Sequence, residues 1–556
     1  MQHKFSLKKA GWWQWLLPTL ILSAIATLDP RSLISPVIFS DDWCYLISNQ
    51  VFGGLNLVDW SNRRPFTLTL YTAVMSLVGL RLQYLLILNF LITFAAGVML
   101  YFLLRRVLPQ AVWLALPASL VYLVYPVDYT RTWMVTIYIH LVLLITLGVL
   151  WLLVDFALHG GGWKIILAWV GIILPLGAYE GQFGLLMGAV VLLAIFTPRI
   201  SVKRRAALLS ILLTGALFIF WRVFVQPQWL NIHDSYFQEM QLSPVVLIYR
   251  FYLAVSVFTV GWASSAAAYF GLSQGGLIAL VCGLAVIAAL LVYLLQSKRE
   301  PLLSWGQREP LLKTLLFAFL TGAFFWAAGY IPGISVFNPT WEGVSSRGNV
   351  FAIPGASLAL VSLVAYVAAL VGKSLKQAAA MTVAAIIPFV IVGGMAQLWM
   401  HSENDAAWND QKQLLNGVLG TLPGVQDGTT VVIVIPGYNH LRPLQRLPLS
   451  AQWEAACALP VLYNHQTGLT TRYYYPDLAV AQPTLLEAGV KEYDTEEIIP
   501  YADTVFVYYD PAAHSVRLIE RLEDVLSLPF QVQGYAPHQR ITAQPPQATV
   551  YRWLIK

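Results

Sequence analysis

Charge is what this 556-residue chain has least of: 11% of its residues are Asp, Glu, Lys or Arg, against about 25% in ordinary soluble proteins. With 58% hydrophobic residues and a mean hydropathy of +0.64, that scarcity excludes a soluble enzyme and a disordered chain alike. Cysteine is nearly absent: Cys44, Cys282 and Cys457 are too few for a disulfide framework. The familiar catalytic motifs are missing too, with no H-E-x-x-H, C-x-x-C pair, G-x-S-x-G, Walker loop or G-x-G-x-x-G. What is present is a series of long apolar stretches split by short loops, up to residue 400. The 20 Trp and 27 Tyr suit the two membrane–water interfaces. The chain reads as a polytopic, all-α membrane protein.

A pI of 9.0 would suggest a nucleic-acid partner if the charge were evenly spread. It is not. Residues 401–556 hold 10 Lys and Arg against 16 Asp and Glu, so the positive excess belongs wholly to the apolar part, where topology accounts for it and no nucleic acid is implied. A helix needs about 20 apolar residues to cross roughly 30 Å of hydrocarbon. Eleven stretches qualify, near 12–28, 84–104, 109–126, 133–155, 163–179, 181–197, 206–225, 275–296, 311–331, 350–372 and 377–398. Two more, 65–80 and 245–270, are apolar, but the first is short and the second carries Arg250. If both crossed, Arg105, Arg106, Lys164 and the basic run Arg199–Arg205 would be translocated, against the positive-inside bias. Both are therefore read as helices on the outer face.

This count places the N-terminus in the cytoplasm and the acidic tail outside an inner or plasma membrane. The first stretch, with Lys8, Lys9 and Ala24-Ile25-Ala26, also resembles a signal peptide, but is read as a retained span. The expected division is a membrane body over 1–400, with outer loops 29–83, 226–274 and 332–349, and a small extracytoplasmic α/β domain over 401–556. In that tail, 407–422 reads as an amphipathic helix, 429–435 as a buried strand, 504–509 and 515–519 as a hairpin, and 548–553 as a last strand. Cys44 and Cys457 fall on one side but are expected not to pair.

The first outer loop runs Phe39-Ser40-Asp41-Asp42-Trp43-Cys44-Tyr45 and ends in Asn62-Arg63-Arg64-Pro65. Ionisable groups beside a span are functional candidates by default; helix capping accounts well for one Asp and poorly for the second. Arg63, Arg64 and Arg347 lie outside, against the positive-inside trend. They are either snorkelling side chains or guanidinium forks for a phosphate. Weaker candidates for substrate contact are Asp128, Tyr129 and Arg131 at one span end, Glu180 at a hairpin tip, and His233 in the loop 226–274, each with a structural alternative (pairing across a turn, solubility, a solvated loop).

These residues carry a resemblance. Asp41-Asp42 after the first span resembles the modified acidic motif of the GT-C superfamily of membrane glycosyltransferases. Arg64-Pro65-Phe66-Thr67-Leu68 is similar to the start of the next helix in aminoarabinose transferases and protein O-mannosyltransferases. Arg347 through Pro354 is similar to the Arg-aromatic-x-x-Pro end of a late span in that group. The layout is similar over most of 1–400, the motifs over about 25 residues. The chain departs in having Asp-Asp where Asp-Glu is usual and Gly348 where an aromatic is common, which leaves sugar and acceptor open.

The resemblance implies inverting transfer of a sugar from a polyprenyl-phosphate donor to a lipid, glycan or protein acceptor on the outer face. Asp41 would be the base and Asp42 would orient the acceptor or hold a cation. Arg63, Arg64 and Arg347 would cradle the phosphate. Paired carboxylates suit Mg²⁺ or Mn²⁺, although monophosphate-donor relatives often manage without a metal. The alternatives are a transporter or flippase of an envelope lipid, which should show repeats and broken helices at mid-membrane, and an envelope-glycan polymerase or ligase, which should carry a large late loop.

Overall fold

The computed structural model describes residues 64–78, 82–197, 200–230, 241–272, 305–334, 336–341, 344–372, 374–436, 452–463, 468–476, 482–492 and 497–543, with isolated positions 18, 19, 21, 22, 37, 38, 43, 44, 283, 286, 287 and 555. Asp41, Asp42, Arg63 and His233 lie outside the described residues, as do Cys282, most of the stretches 12–28 and 275–296, and the expected strand 548–553.

Pro65 fixes the turn that starts α1 (Thr67–Val78), whose 12 residues extend about 18 Å, too short to cross a bilayer. There follow α2 (Leu82–Val107), α3 (Ala115–Val124), α4 (Ile137–His159), α5 (Gly162–Ala178), α6 (Phe183–Phe196), α7 (Val202–Phe220), α8 (Pro244–Leu272), α9 (Trp305–Ile334), α10 (Ile353–Val371) and α11 (Leu375–Thr421). Among the described residues six helices are long and apolar enough to cross a membrane, and four shorter apolar helices accompany them. With exposed Ile166, Leu217, Ile248 and Leu320 on their outer faces, these helices form an integral membrane body.

Helices without a hydrophobic gradient between them must associate through close backbone packing. The α9–α10 pair does so: a Cβ on Gly322 would lie 2.5 Å from the Ala359 backbone nitrogen. Arg250 does not break α8. Its buried guanidinium donates to Asn338 Oδ1 (3.1 Å) and to the Ile334 carbonyl (3.1 Å), so the helix runs uninterrupted.

Two expectations need correction. The span 377–398 and the tail helix 407–422 are one 47-residue helix, α11, about 70 Å long, which carries the chain from the body into the C-terminal domain. Ala407, Trp408, Leu414, Leu415 and Val418 are buried; the amphipathic pattern was real, but its apolar side continues a span. Second, Cys44 and Cys457 are disulfide-bonded, 413 residues apart in sequence. With that separation nothing local in the sequence signals proximity.

The C-terminal domain is α/β. Its four-stranded sheet has the order β2-β1-β6-β7, from β1 (Thr430–Val434), β2 (Thr470–Tyr474), β6 (Thr504–Asp510) and β7 (Ser515–Leu518); β1 pairs parallel with β2 and with β6, and β7 is antiparallel. Helix α12 (Gln452–Leu462) makes the crossover from β1 to β2. The wholly buried run Thr430–Val434 suits a strand covered on both faces. A second, antiparallel sheet joins β3 (Thr484–Leu486), β4 (Gly489–Lys491) and β5 (Ile498–Ile499).

Candidate functional site

The tight turn Glu180–Gln182 links α5 to α6, and it is built for close approach. A Cβ on Gly177 would strike the Phe66 ring, and one on Gly181 would come within 2.7 Å of Phe351 and Tyr179. The Thr67 hydroxyl donates to the Ala178 carbonyl, and the Phe66 amide to the Gly177 carbonyl at 3.1 Å. These contacts seat the start of α1 on the hairpin tip and bring Arg64 across 116 residues to Glu180. The guanidinium grips the carboxylate with two hydrogen bonds, Nε to Oε2 at 2.8 Å and Nη2 to Oε1 at 2.6 Å. It also lies 4.5 Å from the centre of the Tyr179 ring. Such fork-to-carboxylate geometry fixes orientation as well as charge.

Arg222 approaches the same carboxylate, Nη2 to Oε1 at 3.9 Å. It sits in a π-helical turn, Trp221–Val225, at the end of α7. Such one-turn bulges re-aim side chains and recur at functional sites. Tyr179 in turn stacks on Phe351 with ring centres 5.6 Å apart. Phe351 is four residues from Arg347 on the short 3-10 turn Val344–Asn349. Arg64 and the Arg347 segment therefore meet across one pair of stacked rings.

The turn between α3 and α4 packs against that 3-10 segment. The Tyr129 amide donates to Ser346 Oγ at 3.1 Å, and the Asn349 amide to the Val127 carbonyl at 2.6 Å. Beneath it lies a buried polar relay. The Asp128 carboxylate accepts from Thr130 (3.0 Å) and contacts His140 Nε2 (3.0 Å), while His140 Nδ1 meets Asn89 Oδ1 at 2.7 Å. Asn89 Nδ2 is fixed on the Arg131 carbonyl (2.9 Å), so both imidazole nitrogens face oxygen atoms. Burial alone would raise the Asp128 carboxyl; the hydrogen bond and charge of His140, Arg131 and the Thr130 hydroxyl outweigh it and hold it below the usual carboxylate range.

The flanks of the acidic pair are fixed in the same neighbourhood. Val37 bridges to Trp133, and the Trp133 indole donates to Asn404 of α11 at 3.3 Å. Ile38 and Trp43 are both held by Gln411 of α11: its amide nitrogen donates to the Ile38 carbonyl (3.2 Å) and its oxygen accepts from the Trp43 indole (2.8 Å). Trp43 packs on Trp408, and Cys44 is covalently joined to α12 through Cys457.

The structure thus brings Arg64, Glu180 and the Arg347 segment together, and sets Asp128, Tyr129 and Arg131 against that segment as a buried layer. Arg222, His140, Asn89 and Gln182 were not anticipated. Polar residues inside otherwise apolar helices are the signal that points to the middle two. Gln182 is fully buried, and neither atom of its amide has a hydrogen-bond partner among the described residues. Among the described residues no three His, Cys, Asp or Glu side chains gather as metal ligands, so a cation would depend on Asp41 and Asp42.

Fold and site together define an integral membrane protein with a buried polar cluster at one end of its helices and a disulfide-tethered α/β domain. No family model and no curated protein matches the chain. Among solved structures it is similar to the crystal structure of ArnT from Cupriavidus metallidurans in the apo state, with 13% identity, 92% of this chain and 95% of that one covered, and a TM-score of 0.40. It is also similar to the same protein's structure bound to undecaprenyl phosphate, with 14% identity, 83% and 86% covered, and a TM-score of 0.37. Likeness at this level carries no residue-by-residue argument; the functional reading stands on the chain's own site.

Proposed function

We propose that this protein is a GT-C-type membrane glycosyltransferase that moves a sugar from a polyprenyl-phosphate donor to an acceptor hydroxyl at the extracytoplasmic face. The observations that support the reading are the ring contacts that join Arg64 to the Arg347 segment through Tyr179 and Phe351, and the bridge of Val37 to Trp133 beside the Asp128 turn that packs on the same segment. The side of the membrane follows from redox chemistry. Disulfides persist in oxidising compartments, so Cys44 and Cys457 belong outside the cytosol, and the tail with them.

In the proposed reaction Asp41 removes the acceptor hydroxyl proton as its oxygen attacks the anomeric carbon. The bond from that carbon to the phosphate oxygen breaks, polyprenyl phosphate leaves with the electron pair, and configuration inverts. A base must stand within about 3 Å of the proton it takes. The leaving phosphate gathers negative charge, which the guanidinium groups of Arg63, Arg64 and Arg347 would stabilise. Glu180 orients the Arg64 fork for that task. Asp42 orients the acceptor or holds a divalent cation, and no step is routed through a metal.

Transfer from a radiolabelled polyprenyl-linked sugar in reconstituted membranes tests the assignment. Asp41→Asn should abolish transfer and Asp42→Asn should lower it at least a hundredfold, with thermal stability nearly unchanged. Turnover that persists in both variants would overturn the catalytic assignment. Lipid movement across the bilayer without sugar transfer would favour the flippase alternative.

A further inference from the structure

A second charged cluster lies at the opposite end of the helices. Helix α4 starts beside the Asp128 turn and ends at His159, 23 residues and about 35 Å away, one membrane thickness. There four helix ends meet: the ends of α2 and α4 and the starts of α5 and α7. They carry Arg105, Arg106, His159, Lys164, Lys203, Arg204 and Arg205 against a single described carboxylate, Asp155.

Asp155 organises the cluster. Its nearly buried carboxylate binds both Arg106 and Lys164 and lies 3.1 Å from His159 Nδ1. Arg204 folds back over Gly160, where an added Cβ would lie 3.1 Å from its Nε, and reaches the Leu158 carbonyl at 3.4 Å. Arg105 and Arg106 at the end of α2 suit the negative pole of a helix. Lys164 in the first turn of α5, and Lys203 and Arg204 in that of α7, do not. Neither first turn contains an acidic residue. Cations therefore crowd two positive helix poles, the second of them capped by Ser201 Oγ accepting from the Arg204 amide, and a bound anion would offset that excess of positive charge. Exposed Trp163, Ile166, Phe196 and Val202 flank the cluster with apolar surface. An anion with hydrocarbon attached would meet both.

We propose that this face binds the phosphate headgroup of an anionic phospholipid in the leaflet opposite the candidate active site, its acyl chains lying along α5 and α7. The proposal is independent of the glycosyltransferase reading.

Native mass spectrometry of the full chain, stripped in detergent and then given phosphatidylglycerol or phosphatidylcholine, tests it. Wild type should retain phosphatidylglycerol in preference. Lys203→Gln and Arg204→Gln should each lower its retention about fivefold, the effect of the ~1 kcal/mol that one basic residue contributes near an anionic surface. Arg517→Gln, in the outer domain, is the charge-matched control and should change nothing. Lys203 is exposed, so its variant reports even if Arg204→Gln fails to fold. Equal retention of phosphatidylcholine, or retention unaffected by Lys203→Gln, would overturn the proposal. So would displacement of the lipid by an equal concentration of soluble glycerol phosphate, which would mark a plain anion site.

Discussion

Replacing Cys44 by Ala removes the covalent tie between the segment around Trp43 and the C-terminal domain. For a free chain, a cross-link closing a 413-residue loop restricts the unfolded state by about 6 kcal/mol. That is an upper bound here, because spans that stay in the bilayer already restrain an unfolded chain. The native contacts around the tie are the other half of the estimate. Trp43 is fully buried, packed at a tilt against Trp408 and hydrogen-bonded to Gln411, which holds the segment by about 2–3 kcal/mol without the sulfur bridge. A destabilisation of about 2–4 kcal/mol is therefore expected, with 37–44 still docked most of the time. The assay has two parts. Thiol alkylation without reductant should leave Cys44 and Cys457 of the wild type unmodified, and should label both after reduction. Protease should then cut near residues 37–44 faster in the Cys44→Ala variant. Alkylation of both native thiols without reductant, in protein folded through an oxidising compartment, would refute the pairing and the topology argued from it. Unaltered protease resistance in the variant would refute the clamp.

Three further outcomes follow from the packing. Arg64→Ala leaves the Glu180 carboxylate poorly compensated in a mostly buried site and should destabilise by about 3 kcal/mol, read by thermal unfolding; adding Glu180→Leu should restore much of the loss, since an apolar pair often replaces a buried ion pair without penalty. Asp128→Asn should destabilise at neutral pH. Because the native carboxyl lies below its unfolded value near 4, its contribution is full above about pH 4 and is lost as pH falls through the native value, so mutant and wild type should converge in acid melts. Gly177→Ala drives a methyl into the Phe66 ring and should cost about 1–3 kcal/mol of stability through overpacking, whereas Gly148→Ala, with open space around it, should not.

Composition by itself determined the membrane body, because a helix that crosses hydrocarbon needs a long apolar run and such runs survive without any tertiary information. The positions of α2, α4, α7, α9 and α10 were legible for that reason, and so were β1 and the β6–β7 hairpin from alternation and turn chemistry. Arg64 and Glu180 were legible as anomalies, a cation and an anion beside apolar stretches, but not as partners: 116 residues separate them, and only the seating of α1 on the α5–α6 tip makes the contact. The same holds for the Cys44–Cys457 bond and for the Asp128–His140–Asn89 relay, whose members come from three separate elements. Local sequence sets hydropathy, turns and caps. Which polar groups face one another is settled by the packing of whole helices, since their mutual satisfaction away from water is a property of the assembled body and not of any one segment.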